Sequence, residues 1–235
     1  MGQVKVIVLR TAGTNCDRET AFAFSSWGAD VELVHINQIL RKHGDLKKYH
    51  ILAIPGGFSY GDDIESGRIF GNELKIKLGG ELSKFISDGK LIIGICNGFQ
   101  ILVKAGLLPG QLNDQESKAD TYAQKATLTN NDSGKFEDRW VHLKVSSNSV
   151  WTKGIKRIVY FPVAHAEGKF IPQDERTREI LKQNGQVAFQ YVNPDGENPG
   201  YSTVPQAARH RESPYRQITS RRRVSIADRR GSPAS

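Results

Sequence analysis

The sequence predicts an α/β protein, in which helices cover both faces of a mainly parallel sheet. Short apolar stretches rich in valine and isoleucine recur through the first hundred residues. Amphipathic stretches of helical length separate them, and glycine-containing turns follow several of them. Continuous apolar strands that alternate with helices are typical of a parallel sheet buried on both sides.

The elements of this first part follow from apolar periodicity and from glycine punctuation. Asn15 or Asp17 can cap the first helix, which Gly28 ends, while Gly89 and Gly106 end the next two helices. The predicted strands are residues 4–9, 31–35, 50–54 and 91–95, and the predicted helices are residues 17–27, 74–87 and 97–105.

After about residue 110 the pattern changes to the alternation of half-buried strands. Residues 126–131 and 140–145 alternate in this way, and residues 158–162 and 186–192 are predicted to add two more strands. Residues 111–124 are polar, which predicts an exposed loop.

Charge and composition divide the chain near residue 200. The net charge is +8, and residues 201–235 contain eight arginines, no lysine and two acidic residues, so they supply six of those charges. The first 200 residues therefore carry only +2, which argues against a nucleic-acid-binding surface on them. We predict one folded domain at residues 1–200 and a disordered or out-of-frame tail at residues 201–235.

Cellular location is predicted from what the sequence lacks. It contains two cysteines, no apolar run of about 18 residues and no signal-like N-terminus. These observations predict a cytoplasmic protein without a disulfide framework or a membrane segment, in which a cysteine serves either packing or chemistry.

Cys96 is the candidate nucleophile. It follows an apolar strand, lies between Gly94 and Gly98, and precedes a predicted helix. A strand, a glycine-flanked turn and a helix form a nucleophile elbow, in which the helix N-terminus favours a thiolate and offers N–H groups to an oxyanion. The alternative is a buried structural thiol, since free cysteines are often inert core residues.

A second glycine turn follows the predicted strand at 50–54. Gly56 and Gly57 can bring a backbone N–H to the reacting centre as the second half of an oxyanion hole. The alternative is an ordinary turn. In parallel sheets, sites lie at the carboxyl ends of strands, which here carry the loops 11–16, 55–63 and 96–100.

Five segments together resemble the class I (triad) glutamine amidotransferases, and among them the glutaminase subunits of phosphoribosylformylglycinamidine synthases. They are LRTAGTNCD at 9–17, PGGFSYGDD at 55–63, GICNGFQ at 94–100, NNDSGKFEDRW at 130–140 and PVAHAEG at 162–168. The resemblance spans roughly residues 4–200 and implies the flavodoxin-like class I glutamine amidotransferase fold.

The resemblance implies that the chain hydrolyses glutamine. Cys96 would attack the side-chain amide, release ammonia and leave a glutamyl thioester that water clears. Backbone amides at Gly56, Gly57 and Asn97 would hold the oxyanion, and Gln100 would help to seat glutamine.

The resemblance also implies partners. The ammonia would pass to a large synthetase subunit that uses ATP and Mg to make formylglycinamidine ribonucleotide in purine biosynthesis, and a small bridging subunit would complete the complex. No cofactor, metal or specific nucleic acid is expected on this chain itself. The segment 131–140 would face the partners, through the residues Asn131, Ser133, Phe136 and Arg139.

The acid–base pair of the family, a His and a Glu near the C-terminus, has no clear match. His165 and Glu167 have the right spacing in another segment, and His210 and Glu212 have it without a preceding strand. We therefore predict weak or absent glutaminase activity, and we hypothesise that a frameshift near residue 200 replaced the last family segment. The alternatives are a catalytically dead docking subunit and nucleic-acid binding through the arginine-rich tail.

Cys16 follows the first predicted strand. A role in packing or loop shape is favoured over chemistry, because neither a base nor a glycine-flanked elbow accompanies it.

Overall fold

A parallel sheet forms the centre of the first half of the chain, as the sequence predicts. This computed structural model describes residues 2–41, 46–62, 65–112, 122–146, 149–155, 157–197 and 215–218. The strands of the described residues are β1 (Lys5–Arg10), β2 (Asp30–His35), β3 (Ile51–Ile54), β4 (Leu91–Gly94), β5 (Ala126–Thr129), β6 (Glu137–Val145), β7 (Ile158–His165), β8 (Lys169–Pro172), β9 (Val187–Val192) and β10 (Tyr215–Ile218). The α-helices are α1 (Asp17–Ser25), α2 (Ile36–Arg41), α3 (Arg68–Ser87), α4 (Asn97–Lys104) and α5 (Glu175–Gln183).

The parallel sheet has the strand order β2-β1-β3-β4. Alternate side chains of β1 point to opposite faces, because side chains alternate along a strand. Ile7 and Leu9 lie in the larger core with residues of α3 and α4, whereas Val6 and Val8 pack with Phe24 of α1. Helices therefore cover both faces, and the predicted fold class is confirmed.

The second half of the chain forms antiparallel pairs. One sheet has the order β10-β9-β6-β7, and β5 pairs with β8. Leu128 of β5, Phe170 of β8 and Leu181 of α5 enter the larger core, where the rings of Phe99 and Phe170 lie 6.5 Å apart. The second half therefore packs directly on α4, the helix that follows Cys96.

Helix α3 begins at Arg68 and not at residue 74 as the apolar pattern predicted. The first turn of α3 could not be predicted from the sequence, because it contains Gly71 and glycine lowers helix propensity. A β-carbon at Gly71 would lie 3.1 Å from both Ala105 N and Ile101 O, so this glycine lets α3 approach α4 closely.

Helix α5 and strand β8 were not predicted. Helix α5 is short and polar and buries only Thr177 and Leu181, so its apolar signal is weak. Its start depends on a cap, in which the Thr177 N–H donates to Asp174 Oδ1 at 2.6 Å. The short helix α2 was missed as well.

The predicted exposed loop at 111–124 lies mostly outside the described residues. At its ends, Leu112 is buried and Tyr122 packs against the larger core. Within the predicted tail, Tyr215–Ile218 pairs antiparallel with β9, while the rest of 198–235 lies outside the described residues. The division of the chain at residue 200 stays a prediction. No described helix has the length and apolar character needed to span a bilayer.

Candidate active site

Cys96 occupies a strained turn between β4 and α4. Its backbone angles are φ 54° and ψ −111°, a region that a residue with a side chain rarely adopts. Cys96 is exposed, and it directly precedes Asn97, the first residue of α4. The structure thus contains the sharp strand–turn–helix geometry that the sequence predicts.

The two glycines that flank the cysteine leave no room for side chains. A β-carbon on Gly98 would lie 1.9 Å from the carbonyl oxygen of Ile54, and one on Gly94 would lie 2.4 Å from the carbonyl oxygen of Gly98. Both distances are far below van der Waals contact. Backbones of β3, β4 and α4 therefore meet directly under Cys96 and hold the turn.

The loop after β3 lies beside the same turn. A β-carbon on Gly56 would be 3.2 Å from Cβ of Cys96. Gly57 has a φ of 131°, and a β-carbon there would be 2.4 Å from Oδ1 of Asn15. Close approach and the positive φ therefore require a glycine at Gly57, whereas a side chain at Gly56 would press on Cys96.

The loop after β1 completes the cluster. The Phe58 N–H donates to Gly13 O at 3.0 Å, and the Cys16 N–H donates to Gly56 O at 3.3 Å. The structure thus brings together the three loops at the carboxyl ends of β1, β3 and β4.

Two backbone donors are available in this cluster. Among the hydrogen bonds that join described residues, none uses the N–H of Gly57 or of Asn97. Asn97 is the first residue of α4, where N–H groups have no partner within the helix. Both donors belong to the loops that meet at Cys96.

The side chain of Asn97 organises the floor of the site. Its Oδ1 accepts from the Ser59 hydroxyl at 2.7 Å and from the Ser59 N–H at 3.2 Å. Its Nδ2 donates to Oδ1 of Asp62 at 3.1 Å and to Oε1 of Gln100 at 3.0 Å. Asn97 thereby ties the loop after β3 to helix α4.

Gln100 continues this network into the second half of the chain. Its Nε2 donates to the carbonyl oxygen of Glu167 at 2.8 Å, and its Oε1 accepts from Asn97. Only 9% of Gln100 is exposed. Both ends of this side chain are thus engaged with the protein, and its predicted contact with glutamine stays a prediction.

Sequence reasoning missed Ser59 and Asp62 as parts of this site. Ser59 is buried, and Oδ1 of Asp62 also accepts from the Gly67 N–H at 3.0 Å. Asp62 has a φ of 53°. Their one sequence signal is their place in the polar, glycine-containing stretch that follows β3.

His165 and Glu167 hold separate contacts. Nδ1 of His165 lies 2.8 Å from Oδ1 of Asn131, and the carboxylate of Glu167 accepts from the Ser66 N–H at 3.2 Å. His210 and Glu212, the other pair with this spacing, lie outside the described residues. A catalytic role for either pair stays a prediction.

The residues predicted to face partners differ in exposure. Asn131 is buried, and its Nδ2 donates to the carbonyl oxygens of Lys135 and His165 at 2.9 and 2.7 Å. Phe136 is 56% exposed, whereas Ser133 and Arg139 are half-buried. Phe136 is therefore the most accessible of the four.

Two groups near the site have raised pKa values. Burial, and then the charges of Glu19, Cys96 and Asp17, raise the pKa of the Cys16 thiol. Burial and a hydrogen bond to Glu73 raise the pKa of Tyr60, whose hydroxyl donates to Oε2 of Glu73 at 2.5 Å. Within the described ranges, no group of three or more His, Cys, Asp or Glu side chains is arranged to hold a metal ion.

Residues 3–205 match the family model of the CobB/CobQ-like glutamine amidotransferase domain. The chain belongs to this amidotransferase family. The resemblance found in the sequence is thereby confirmed, and the amidotransferase match ends close to the start of the arginine-rich tail.

Several curated relatives of this amidotransferase share one name. Over 198 residues it is 48% identical to the phosphoribosylformylglycinamidine synthase subunit PurQ of Dehalococcoides mccartyi, covering 83% of this chain and 72% of the relative. Over 197 residues it is 42% identical to the subunit of the same name from Treponema denticola, covering 82% and 73%. The solved structure of PurLQS from Thermotoga maritima aligns with a TM-score of 0.61 at 28% identity, covering 82% of this chain and 76% of that one.

Proposed function

We propose that this amidotransferase is the glutaminase subunit of a phosphoribosylformylglycinamidine synthase in purine biosynthesis. One observation carries the proposal: an exposed cysteine lies in a strained elbow inside residues 3–205, the part of the chain that matches the amidotransferase family model. The ammonia that it releases is passed to a synthetase subunit, which uses ATP and Mg. The rival prediction of nucleic-acid binding through the tail gains no support from these relatives.

The reaction begins with attack of the Cys96 thiolate on the side-chain carbonyl carbon of glutamine. The carbonyl oxygen becomes an oxyanion, which accepts hydrogen bonds from the N–H groups of Gly57 and Asn97. The carbon–nitrogen bond then breaks, and the nitrogen leaves as ammonia after it gains a proton. Water attacks the remaining glutamyl thioester, which releases glutamate and restores the thiol.

Gly56 and the Asn97 side chain support this chemistry without reacting. Gly56 lets the loop after β3 lie close to Cys96, because a β-carbon at Gly56 would be 3.2 Å from Cβ of Cys96. The hydrogen bonds of Asn97 to Ser59 and to Asp62 fix the start of α4, and with it the N–H that faces the oxyanion. Gln100 seats glutamine by holding the segment around Glu167 against α4.

This chain has no clear match to the acid–base pair that would transfer protons during the reaction. A cysteine nucleophile of this kind needs a base and a group that orients it. His165 and Glu167 have the spacing of such a pair, but His165 contacts Asn131 and Glu167 contacts Ser66. Removal of one partner from a catalytic triad typically costs several orders of magnitude in rate, so slow glutamine hydrolysis is expected.

Glutamate release tests the proposal. The full chain is mixed with the synthetase and small subunits, ATP, Mg and formylglycinamide ribonucleotide, and it is compared with Cys96→Ala. Slow release that Cys96→Ala abolishes and the control Cys16→Ser retains is the expected result. Equal release by the full chain and by Cys96→Ala would favour a docking subunit without catalysis, whereas turnover typical of intact amidotransferases would contradict the predicted loss of the acid–base pair.

A covalent label separates a slow enzyme from an inert thiol. An electrophilic glutamine analogue that alkylates the nucleophile should modify Cys96, and free glutamine should protect it. Labelling of Cys96 at the same rate with and without free glutamine would contradict a glutamine site at the elbow.

The segment 131–140 is the proposed partner-facing surface. Phe136 and Trp140 are both more than half exposed, and the ring of Trp140 stacks on that of Tyr160 at 5.1 Å. Exposed aromatic residues are enriched at protein interfaces. Phe136→Ser should weaken co-purification with the synthetase subunit, whereas Phe22→Ser, a change of an exposed aromatic residue on α1, should not.

A further inference from the structure

A second thiol lies beside the proposed nucleophile. A β-carbon on Gly56 would be 3.7 Å from Sγ of Cys16 and 3.2 Å from Cβ of Cys96. Both side chains therefore border the same point, which remains open because Gly56 has no side chain. Both cysteines are exposed.

The backbone of Cys16 is fixed while its thiol is loosely held. The Cys16 N–H donates to Gly56 O at 3.3 Å, and its carbonyl oxygen accepts from the Thr20 N–H and hydroxyl at 3.2 and 2.7 Å. Within the described part of the chain, its thiol makes one long contact, of 3.8 Å to Oδ1 of Asn15. This contact holds the sulfur only weakly.

We propose that Cys16 and Cys96 are a site of oxidative modification, at which a hydroperoxide converts the two thiols into a reversible disulfide. A disulfide needs its two β-carbons about 3.5–4.5 Å apart. Sγ of Cys16 and Cβ of Cys96 lie 3.7 and 3.2 Å from one point, so they are at most 6.9 Å apart. Rotation of the two side chains and a shift of the loops that carry them would bring the β-carbons to the distance that a disulfide needs.

The chemistry balances with a hydroperoxide as the oxidant. The Cys96 thiolate attacks the terminal oxygen of the hydroperoxide, the oxygen–oxygen bond breaks, and an alcohol leaves after it takes up a proton. The product is a sulfenic acid on Cys96. The Cys16 thiolate then attacks that sulfur, a sulfur–sulfur bond forms, and the hydroxyl group leaves as water. Two thiols are oxidised by two electrons in total, and one hydroperoxide is reduced to an alcohol and water.

The electrostatics of the pair favour this order of events. Burial is the largest cause of the raised pKa of Cys16, and the nearby charge of Cys96 adds to it. Once Cys96 becomes a neutral sulfenic acid, its contribution to the raised pKa disappears. Cys16 then forms its thiolate more readily, at the step that requires it.

A disulfide at this position would remove the nucleophile from use and protect it from irreversible oxidation. The effect on glutamine hydrolysis rests on the proposed function, but formation of the disulfide does not. The experiment therefore measures the thiols and not the enzyme activity.

Peptide mapping tests the disulfide directly. The full chain is treated with one equivalent of cumene hydroperoxide, remaining thiols are alkylated, and trypsin then releases Cys16 in residues 11–18 and Cys96 in residues 91–104. The expected product is a monomer that has lost two hydrogen atoms, in which these two peptides are linked. Dithiothreitol should return both thiols to full alkylation.

Two controls make the result decisive. With two or more equivalents of the hydroperoxide, Cys16→Ser should instead gain two oxygen atoms at Cys96, which dithiothreitol does not remove, because sulfinic acids resist thiols. Wild-type chain oxidised in urea, where the loops separate, should form far less of the linked peptide. Oxygen gain at Cys96 in the folded wild-type chain, or a disulfide only between two chains, would overturn the proposal.

Discussion

The α-carbon of Gly98 lies against the carbonyl oxygen of Ile54, so closely that a methyl group on Gly98 would be 1.9 Å from that oxygen. This contact joins the first turn of α4 to the end of β3 under the candidate nucleophile. Backbone packing therefore holds the elbow in place. The most direct test of this packing is to add a methyl group at Gly98.

Gly98→Ala should destabilise the protein strongly. Overpacking usually costs about 1–3 kcal/mol, and a clash with backbone cannot be relieved by rotation of a side chain, so roughly 3 kcal/mol or more is expected. Urea unfolding measures the loss. Gly80→Ala is the matched control, since Gly80 has nothing within 4 Å of the added carbon and lies within α3. The control should gain about 0.5–1 kcal/mol, and equal losses in both variants would contradict the packing argument.

Asn97→Ala should loosen the floor of the site. The change leaves the buried Ser59 hydroxyl and Oε1 of Gln100 without their bonds to Asn97, at a cost of about 2–4 kcal/mol in the free energy of unfolding. Alkylation of Cys96 should change in rate at the same time. Asn37→Ala, on an exposed face of α2, should alter stability by less than about 0.5 kcal/mol. A loss no larger than that of the control would show that the network is not structural.

Tyr60→Phe should change how stability depends on alkaline pH. The ordinary pKa of tyrosine is 10.0, and burial together with the bond to Glu73 raises that of Tyr60 in the folded state. Below about pH 10 both states are protonated, and the Tyr60 hydroxyl contributes its full stability, roughly 1 kcal/mol for its hydrogen bond. As the pH rises through the folded pKa, the unfolded state ionises first and that contribution is lost.

Unfolding by urea at about pH 8 and about pH 11 checks this sign. Wild type should be more stable than Tyr60→Phe at the lower pH, and the difference should shrink at the higher pH. Tyr160→Phe, which removes an exposed hydroxyl from the antiparallel sheet, is the control. A difference that grows with pH would contradict the raised pKa.

Alkylation of Cys16 should be slow at neutral pH. Its raised pKa leaves a smaller thiolate fraction than in a free cysteine, so the rate should keep rising at pH values above the ordinary thiol pKa. Glu19→Gln removes one cause of the raised pKa and should speed alkylation at neutral pH by about twofold. Peptide-resolved iodoacetamide kinetics report the rate. Glu175→Gln, an exposed change on α5, should leave it unaltered; an equal rate in wild type and Glu19→Gln would refute the electrostatic cause.

The parallel sheet and the elbow could be predicted because their signals are local. The strands β1, β3 and β4 contain continuous apolar runs, and Gly94 and Gly98 mark the turn around Cys96 within five residues of sequence. The unpaired N–H of Asn97 follows from the same local pattern, because the first N–H groups of a helix have no partner within it.

The rest depends on contacts between distant residues. Nothing near Gln100 in sequence indicates that it bonds to the carbonyl oxygen of Glu167. Glu167 approaches because Leu128 of β5 and Phe170 of β8 share the larger core with α4. The capping residue Asp174 is only a weak sequence signal for α5. The helix is stabilised when Leu181 packs into the larger core, and this contact is not visible in the local sequence. The pairing of β9 with both β6 and β10 likewise reflects tertiary structure and not strand propensity.

The packing of Phe99 against Phe170 has a consequence for synthesis on the ribosome. Strands β1 to β4 and helices α1 to α4 end at residue 104, so the elbow can form when fewer than half of the 235 residues have emerged from the ribosome. The apolar side of α4 then stays uncovered until the strands that carry Leu128 and Phe170 emerge. A nascent chain that stopped at this stage would contain a folded parallel sheet and an exposed apolar face on α4. We expect chaperones to bind such a chain.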